Sequence, residues 1–138
     1  IHFSFAHLAF NCLWIYTLGE KIENIDGSNT FIVLVIFSAI LSNLLQYIFT
    51  DSSLFGGLSG VIYGLIGFCM IIEFESRYVR YDLPPAIYLF MIVWLLLGFI
   101  GILDLFGFGS VANYAHLGGL ISGILFAMIY KSFFTMRI

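Results

Sequence analysis

Charge is what this sequence has least of: five basic and eight acidic residues among 138, against 62% apolar residues. With a mean hydropathy of +1.08, that scarcity excludes a water-solvated domain of ordinary composition. Proline is nearly absent as well. Pro84 and Pro85 are adjacent, so they mark the start of a helix, where a missing backbone donor costs least, and not a kink within one. The two cysteines, Cys12 and Cys69, both fall inside apolar stretches, where packing is the role expected of them. No internal repeat and no low-complexity linker divides the chain, so residues 1–138 read as a single domain. The net charge of −3 is too mild to say anything about partners.

What the sequence does contain is five charge-free stretches: 1–19, 27–50, 52–72, 83–103 and 105–130. Each approaches or exceeds the roughly 20 residues that a helix needs to cross about 30 Å of hydrocarbon. A signal peptide would account for one such stretch, not five. The fold class expected is therefore all-α, a polytopic membrane bundle of five spans joined by short loops. Lys21, Arg77, Arg80, Lys131 and Arg137 all fall at the same end of these alternating spans. Basic residues collect in cytoplasmic loops, so that end faces inward and the first span begins at the outer surface. The chain opens directly in an apolar run without an initiator Met, which reads as a domain missing an N-terminal part.

Small residues concentrate in the third and fifth spans: Gly57, Gly60, Gly64 and Gly67 in one, Ala115, Gly119, Gly123 and Ala127 in the other. Spacings near four place them on one helix face, where they let backbones approach closely in lipid. These two spans are expected at the centre of the bundle. A third helix running from near Leu58 to just before Glu73 would rise only about 22 Å, less than the hydrocarbon thickness. Its start would then lie below the outer surface, at the floor of a water-filled cavity.

Polar groups inside spans are costly and mark function. The candidates are His2, His7, Asn11, Asn43, Gln46, Ser59, Tyr63, Asn113 and His116. His7 and Asn11 share a face near the outer end of the first span, Ser59 opens the third from the outside, and His116 lies early in the fifth. A serine hydroxyl needs a base to become a nucleophile, and an imidazole serves near neutral pH. The oxyanion that forms needs donors aimed at it, which His7, Asn11 and the Ser59 backbone N–H could supply. Each residue alone has a plainer reading: Ser59 as a cap, the histidines as helix-packing donors, Asn11 as an interhelical bridge. Their coincidence at one depth is what favours chemistry.

Three motifs carry a resemblance: His2-x4-His7-x3-Asn11, Gly57-Leu58-Ser59-Gly60, and Ala115-His116-x2-Gly119-x3-Gly123. In order and spacing they are similar to the signature set of the rhomboid family of intramembrane serine proteases, in particular its bacterial GlpG type. The resemblance covers essentially the whole chain and matches the second to sixth of six core spans. It implies a Ser–His dyad of Ser59 and His116, an oxyanion hole lined by His7, Asn11 and Ser59, and Tyr63 stacked on His116, with Gly57, Gly60 and His2 supporting. It also implies that the fourth span and the loop from Asp104 to Asn113 form a lateral gate and cap, closed by Phe10 and Trp94. Glu20 and Gly27 fit the turn joining the family's corresponding helices. The loop between Asp104 and His116 is slightly longer than the family's pattern.

The activity so implied is hydrolysis of a peptide bond in or near a transmembrane segment of a protein substrate, through an acyl-enzyme. No metal and no organic cofactor is called for. The partners are transmembrane protein substrates and the lipid bilayer, with no nucleic acid. The location implied is a bacterial inner membrane, with the site opening to the periplasmic side. Two rival readings stay open: an inactive relative that binds transmembrane clients, and a transporter or metal site using His2, His7 and His116. Against the second, His2 and His7 are five residues apart and do not share a helix face.

Overall fold

The structure, a computed structural model, describes residues 5–50, 57–76, 79–105 and 111–134. These form helices α1 (Phe5–Asp26), α2 (Ser28–Thr50), α3 (Ser59–Glu75), α4 (Pro85–Phe99), α5 (Ile102–Leu105) and α6 (Asn113–Phe134), with no strand among the described residues. The burial pattern inverts that of a water-soluble protein. Asn11, Ser38, Ser42, Gln46, His116 and Ser122 are buried, while Ile32, Ile36, Ile40 and Leu44 of α2 are exposed. Such a surface is matched to hydrocarbon, where only polar groups need cover. By length and apolarity α2 and α6 are able to cross a bilayer unaided.

α1 does not stop with its apolar stretch but continues through Glu20, Lys21 and Glu23 to Asp26. It ends because Gly27 adopts φ +91°, a left-handed conformation that costs glycine little. That one residue reverses the chain into α2. Thr30 Oγ1 then donates to the Asp26 carbonyl at 2.8 Å, joining the two helix ends.

α3 is the centre, as its glycines predict. Every residue from Gly60 to Cys69 is buried, so the helix has no lipid-facing side over that stretch. Its most extensive contact is with α6, and α2 covers both. The approach is backbone to backbone: a Cβ on Gly119 would overlap the Gly60 carbonyl, and one on Gly123 would overlap that of Gly64.

Two expectations about length are corrected. α3 runs on to Glu75, giving 17 residues and a rise of about 25 Å. The shortest of the crossing helices is α4, with 15 residues and about 22 Å. Pro84 and Pro85 delay its start, and it ends as Gly101 turns left-handed at φ +76°. Of the fifth apolar stretch, expected from 105 to 130, Leu105 ends the short α5 and the part from Asn113 onward lies in α6.

The helix ends sort into two layers. Gly27, Asp26, Arg80, Tyr81, Tyr130 and Lys131 lie at the basic end, which the sequence assigns to the inside. There the buried Asp26 carboxylate accepts from the Arg80 guanidinium, from Tyr81 Oη at 2.7 Å and from Tyr130 Oη at 3.0 Å. Lys131 pairs with Glu75 close by. At the opposite end α1 and α4 keep apart, and the starts of α3 and α6 meet.

Candidate active site

Ser59 is the first residue of α3, following Leu58 at the N-cap. Gly57 before it has φ +108°, a turn that a side chain would strain. A Cβ there would also stand 3.0 Å from His7 Cε1 and 3.7 Å from Ser59 Oγ. Glycine at 57 therefore lets the His7 ring of α1 lie directly beside the serine.

His116 is the fourth residue of α6 and is buried. Its Nε2 lies 2.7 Å from Ser59 Oγ, a hydrogen-bonding distance. The close packing of Gly60 on Ala115 and Gly119 makes that distance reachable: a Cβ on Gly60 would come within 3.1 Å of the Ala115 carbonyl. Tyr63, one turn along α3 and 2% exposed, stacks on the imidazole with centroids 4.6 Å apart and planes inclined by 28°. The imidazole Nδ1 is buried without a hydrogen-bond partner, so no carboxylate among the described residues orients it. The pair is a dyad in geometry, with an aromatic ring against the face of the imidazole in place of an acid bonded to its Nδ1.

Asn11 shares the His7 face of α1 and is 1% exposed. Its Nδ2 donates to the His7 carbonyl at 2.8 Å, which leaves one amide hydrogen for another acceptor. Thus Ser59, His116, Tyr63, Gly57, Gly60 and His7 come together, with Asn11 bonded to the backbone of His7. Phe10 packs edge-on against Trp14 with centroids at 6.0 Å, and Trp94 lies against Phe90 at 5.7 Å, each along its own helix. His2 lies outside the described residues.

Three residues around the site escaped the sequence reading as a group. Ser38, Ser42 and Gln46 form the buried stripe of α2, visible as a four-residue polar spacing inside an otherwise apolar helix. Ser42 sits against Gly60, and Ser38 accepts from Ser122 of α6 at 3.1 Å. Gln46 Oε1 accepts the Ala115 backbone N–H at 2.9 Å. That N–H belongs to the first turn of α6, where no carbonyl of the helix's own can serve it. α2 thereby fixes the turn that carries His116. No group of three His, Cys, Asp or Glu side chains suited to a metal occurs among the described residues.

A family model described as the Rhomboid domain matches residues 1–133. The rhomboid protease GlpG of Serratia proteamaculans (strain 568) is 39% identical over 127 residues, which cover 92% of this chain and 44% of that protein. Those of Yersinia pestis (strain Pestoides F) and Yersinia pseudotuberculosis serotype O:3 (strain YPIII) are likewise 39% identical, with the same coverage. The chain thus spans less than half the length of these relatives. A match over nearly the whole sequence agrees with a helical bundle that buries its polar groups and turns its apolar ones outward, and the chain belongs to the rhomboid family of integral membrane proteins.

Proposed function

We propose that this chain carries the catalytic centre of a GlpG-type intramembrane serine endopeptidase, with Ser59 as nucleophile and His116 as base. The observation that carries the reading is the 2.7 Å approach of His116 Nε2 to Ser59 Oγ, between two helices in close backbone contact. As the hydroxyl attacks the scissile carbonyl, Nε2 takes its proton and a tetrahedral oxyanion forms. The Ser59 N–H is free of the helix ladder, because the first four N–H groups of a helix have no partner within it. With His7 beside Ser59 and the remaining amide hydrogen of Asn11, it forms the donor set for that oxyanion. Collapse breaks the C–N bond, and His116 returns the proton to the departing amine. Water, deprotonated by the same imidazole, then cleaves the Ser59 ester and restores the hydroxyl.

The substrates of this reading are transmembrane segments of membrane proteins. Phe10, Trp94 and α4 act as the gate through which they reach the site from the bilayer. The basic end faces the cytoplasm, so in a bacterial inner membrane the site opens toward the periplasm. The test is Ser59→Ala in the full-length form. Cleavage of a model transmembrane substrate is expected to fall by several orders of magnitude, and undiminished cleavage overturns the reading. A fluorophosphonate that leaves Ser59 unlabelled in folded protein would favour a client-binding relative instead.

A further inference from the structure

α4 is the most lightly held of the long helices. Tyr88, Met91, Leu95 and Gly98 face the bundle, while Leu89, Phe90, Val93 and Leu96 are exposed. Its contacts with α3 and α6 are sparse. Apolar contact with a neighbouring helix is little better than contact with lipid tails, so hydrogen bonds and close packing decide where such a helix sits. Hydrogen bonds from Tyr63 and Asn113 join α4 to the rest of the bundle. Tyr63 Oη donates to the Met91 carbonyl at 2.9 Å, fully buried. Asn113 Nδ2 donates to the Gly98 carbonyl at 2.9 Å. Gly98 makes that second seat possible, because a Cβ there would collide with Asn113 Oδ1.

Both donors are neighbours of the dyad. Tyr63 follows Ser59 by one turn and carries the ring stacked on His116, and Asn113 opens the turn of α6 that ends in His116. The Met91 carbonyl, in mid-helix, already serves the backbone ladder and offers Tyr63 its second lone pair. Fixing Oη fixes the tilt of the phenol ring, and that ring is what restrains an imidazole whose Nδ1 has no partner of its own.

We infer that the Tyr63 hydroxyl, together with Asn113, is a positioning device that makes the orientation of the His116 base depend on where α4 sits. The inference rests on the dyad reading above. A displacement of α4 withdraws the Met91 carbonyl, frees the Tyr63 ring to rock, and loosens the base at a distance from the displaced helix. Tyr63 thus takes the orienting part that a carboxylate plays in a triad, with a backbone carbonyl of a neighbouring helix as its anchor.

The decisive variant is Tyr63→Phe in the full-length protein, which keeps the stacked ring and deletes the bond to Met91. Fluorophosphonate labelling of Ser59 reports two quantities: the amplitude measures the folded, competent fraction, and the rate constant measures how well the base is held. The rate constant is expected to fall about three- to tenfold, as for loss of one buried hydrogen bond, with full amplitude and an unchanged KM for a transmembrane substrate. A purely structural role would lower the amplitude and leave the rate constant alone, and an unchanged rate constant overturns the inference while leaving the dyad intact. Should Tyr63→Phe not fold, Asn113→Ala decides by the same rate constant, a fall supporting the coupling and no change refuting it. If the wild type is not labelled, or Ser59→Ala labels equally, the dyad reading fails and this inference fails with it.

Discussion

At Gly119 a Cβ would overlap the carbonyl of Gly60, and that carbonyl belongs to the residue after the candidate nucleophile. The obstacle is backbone, so no rotamer change relieves it, and α3 and α6 must part until that overlap opens to an ordinary contact of 3.4 Å or more. Gly119→Ala is therefore expected to destabilise the bundle by about 1–3 kcal/mol, the usual range for overpacking. It also lengthens the Ser59–His116 contact, so Ser59 labelling should slow by more than tenfold even in the folded fraction. Unfolding in graded sodium dodecyl sulfate, with labelling of the surviving fold, separates the two effects. Stability and labelling both equal to wild type would mean that the helices do not meet at these glycines.

The helices are tied at the basic end by one carboxylate. Asp26 at the end of α1 accepts from Arg80 and Tyr81 of the loop before α4 and from Tyr130 of α6. Arg80 and Tyr81 are held in turn by their backbone N–H groups on the Glu73 carboxylate. Asp26→Ala leaves these donors without their acceptor. A loss of about 2–3 kcal/mol is expected, short of the full cost of breaking a wholly buried pair because Arg80 is partly exposed. Tyr81 and Tyr130 pack on Phe68, about 14 Å along α3 from Ser59, so the labelling rate constant of the folded fraction should not change. Burial, reinforced by the Asp26 charge, raises the Tyr81 phenol above its ordinary value, which is about 10. The contribution of Tyr81 is therefore complete at neutral pH. It is lost as pH climbs above about 10, because the unfolded chain ionises first. An alkaline fall in stability that Tyr81→Phe makes shallower is the expected result, and identical profiles for both proteins would refute the assignment.

Across the bundle, a layer of polar chemistry at one end and a layer of charge at the other clasp an apolar middle. The orientation is open to direct measurement, because Val79 and Leu105 are 74% and 86% exposed at opposite ends. With a membrane-impermeant maleimide on intact cells, Leu105→Cys is expected to react and Val79→Cys to react only after the inner face is opened. The reverse pattern would turn the molecule over and place the candidate dyad on the cytoplasmic side.

The number of spans, their alternation and the pairing of α3 with α6 were legible in the sequence, because they follow from local quantities. Those are the length of charge-free runs, the side on which Lys and Arg fall, and the four-residue spacing of glycines. Ser59, His116, His7 and Asn11 were legible as candidates for a related reason, since a polar group in an apolar span stands out and depth along a helix is simple arithmetic. The tertiary structure alone decided which polar groups face one another. It bonded Asn11 to its own helix, set Gln46 on the first turn of α6, carried Tyr63 Oη to α4, and gathered the end of α1, the loop before α4 and Tyr130 of α6 on Asp26. A chain pattern records distance along an axis, whereas rotation about that axis is set by packing against neighbours, and hydrogen bonds between helices depend on both.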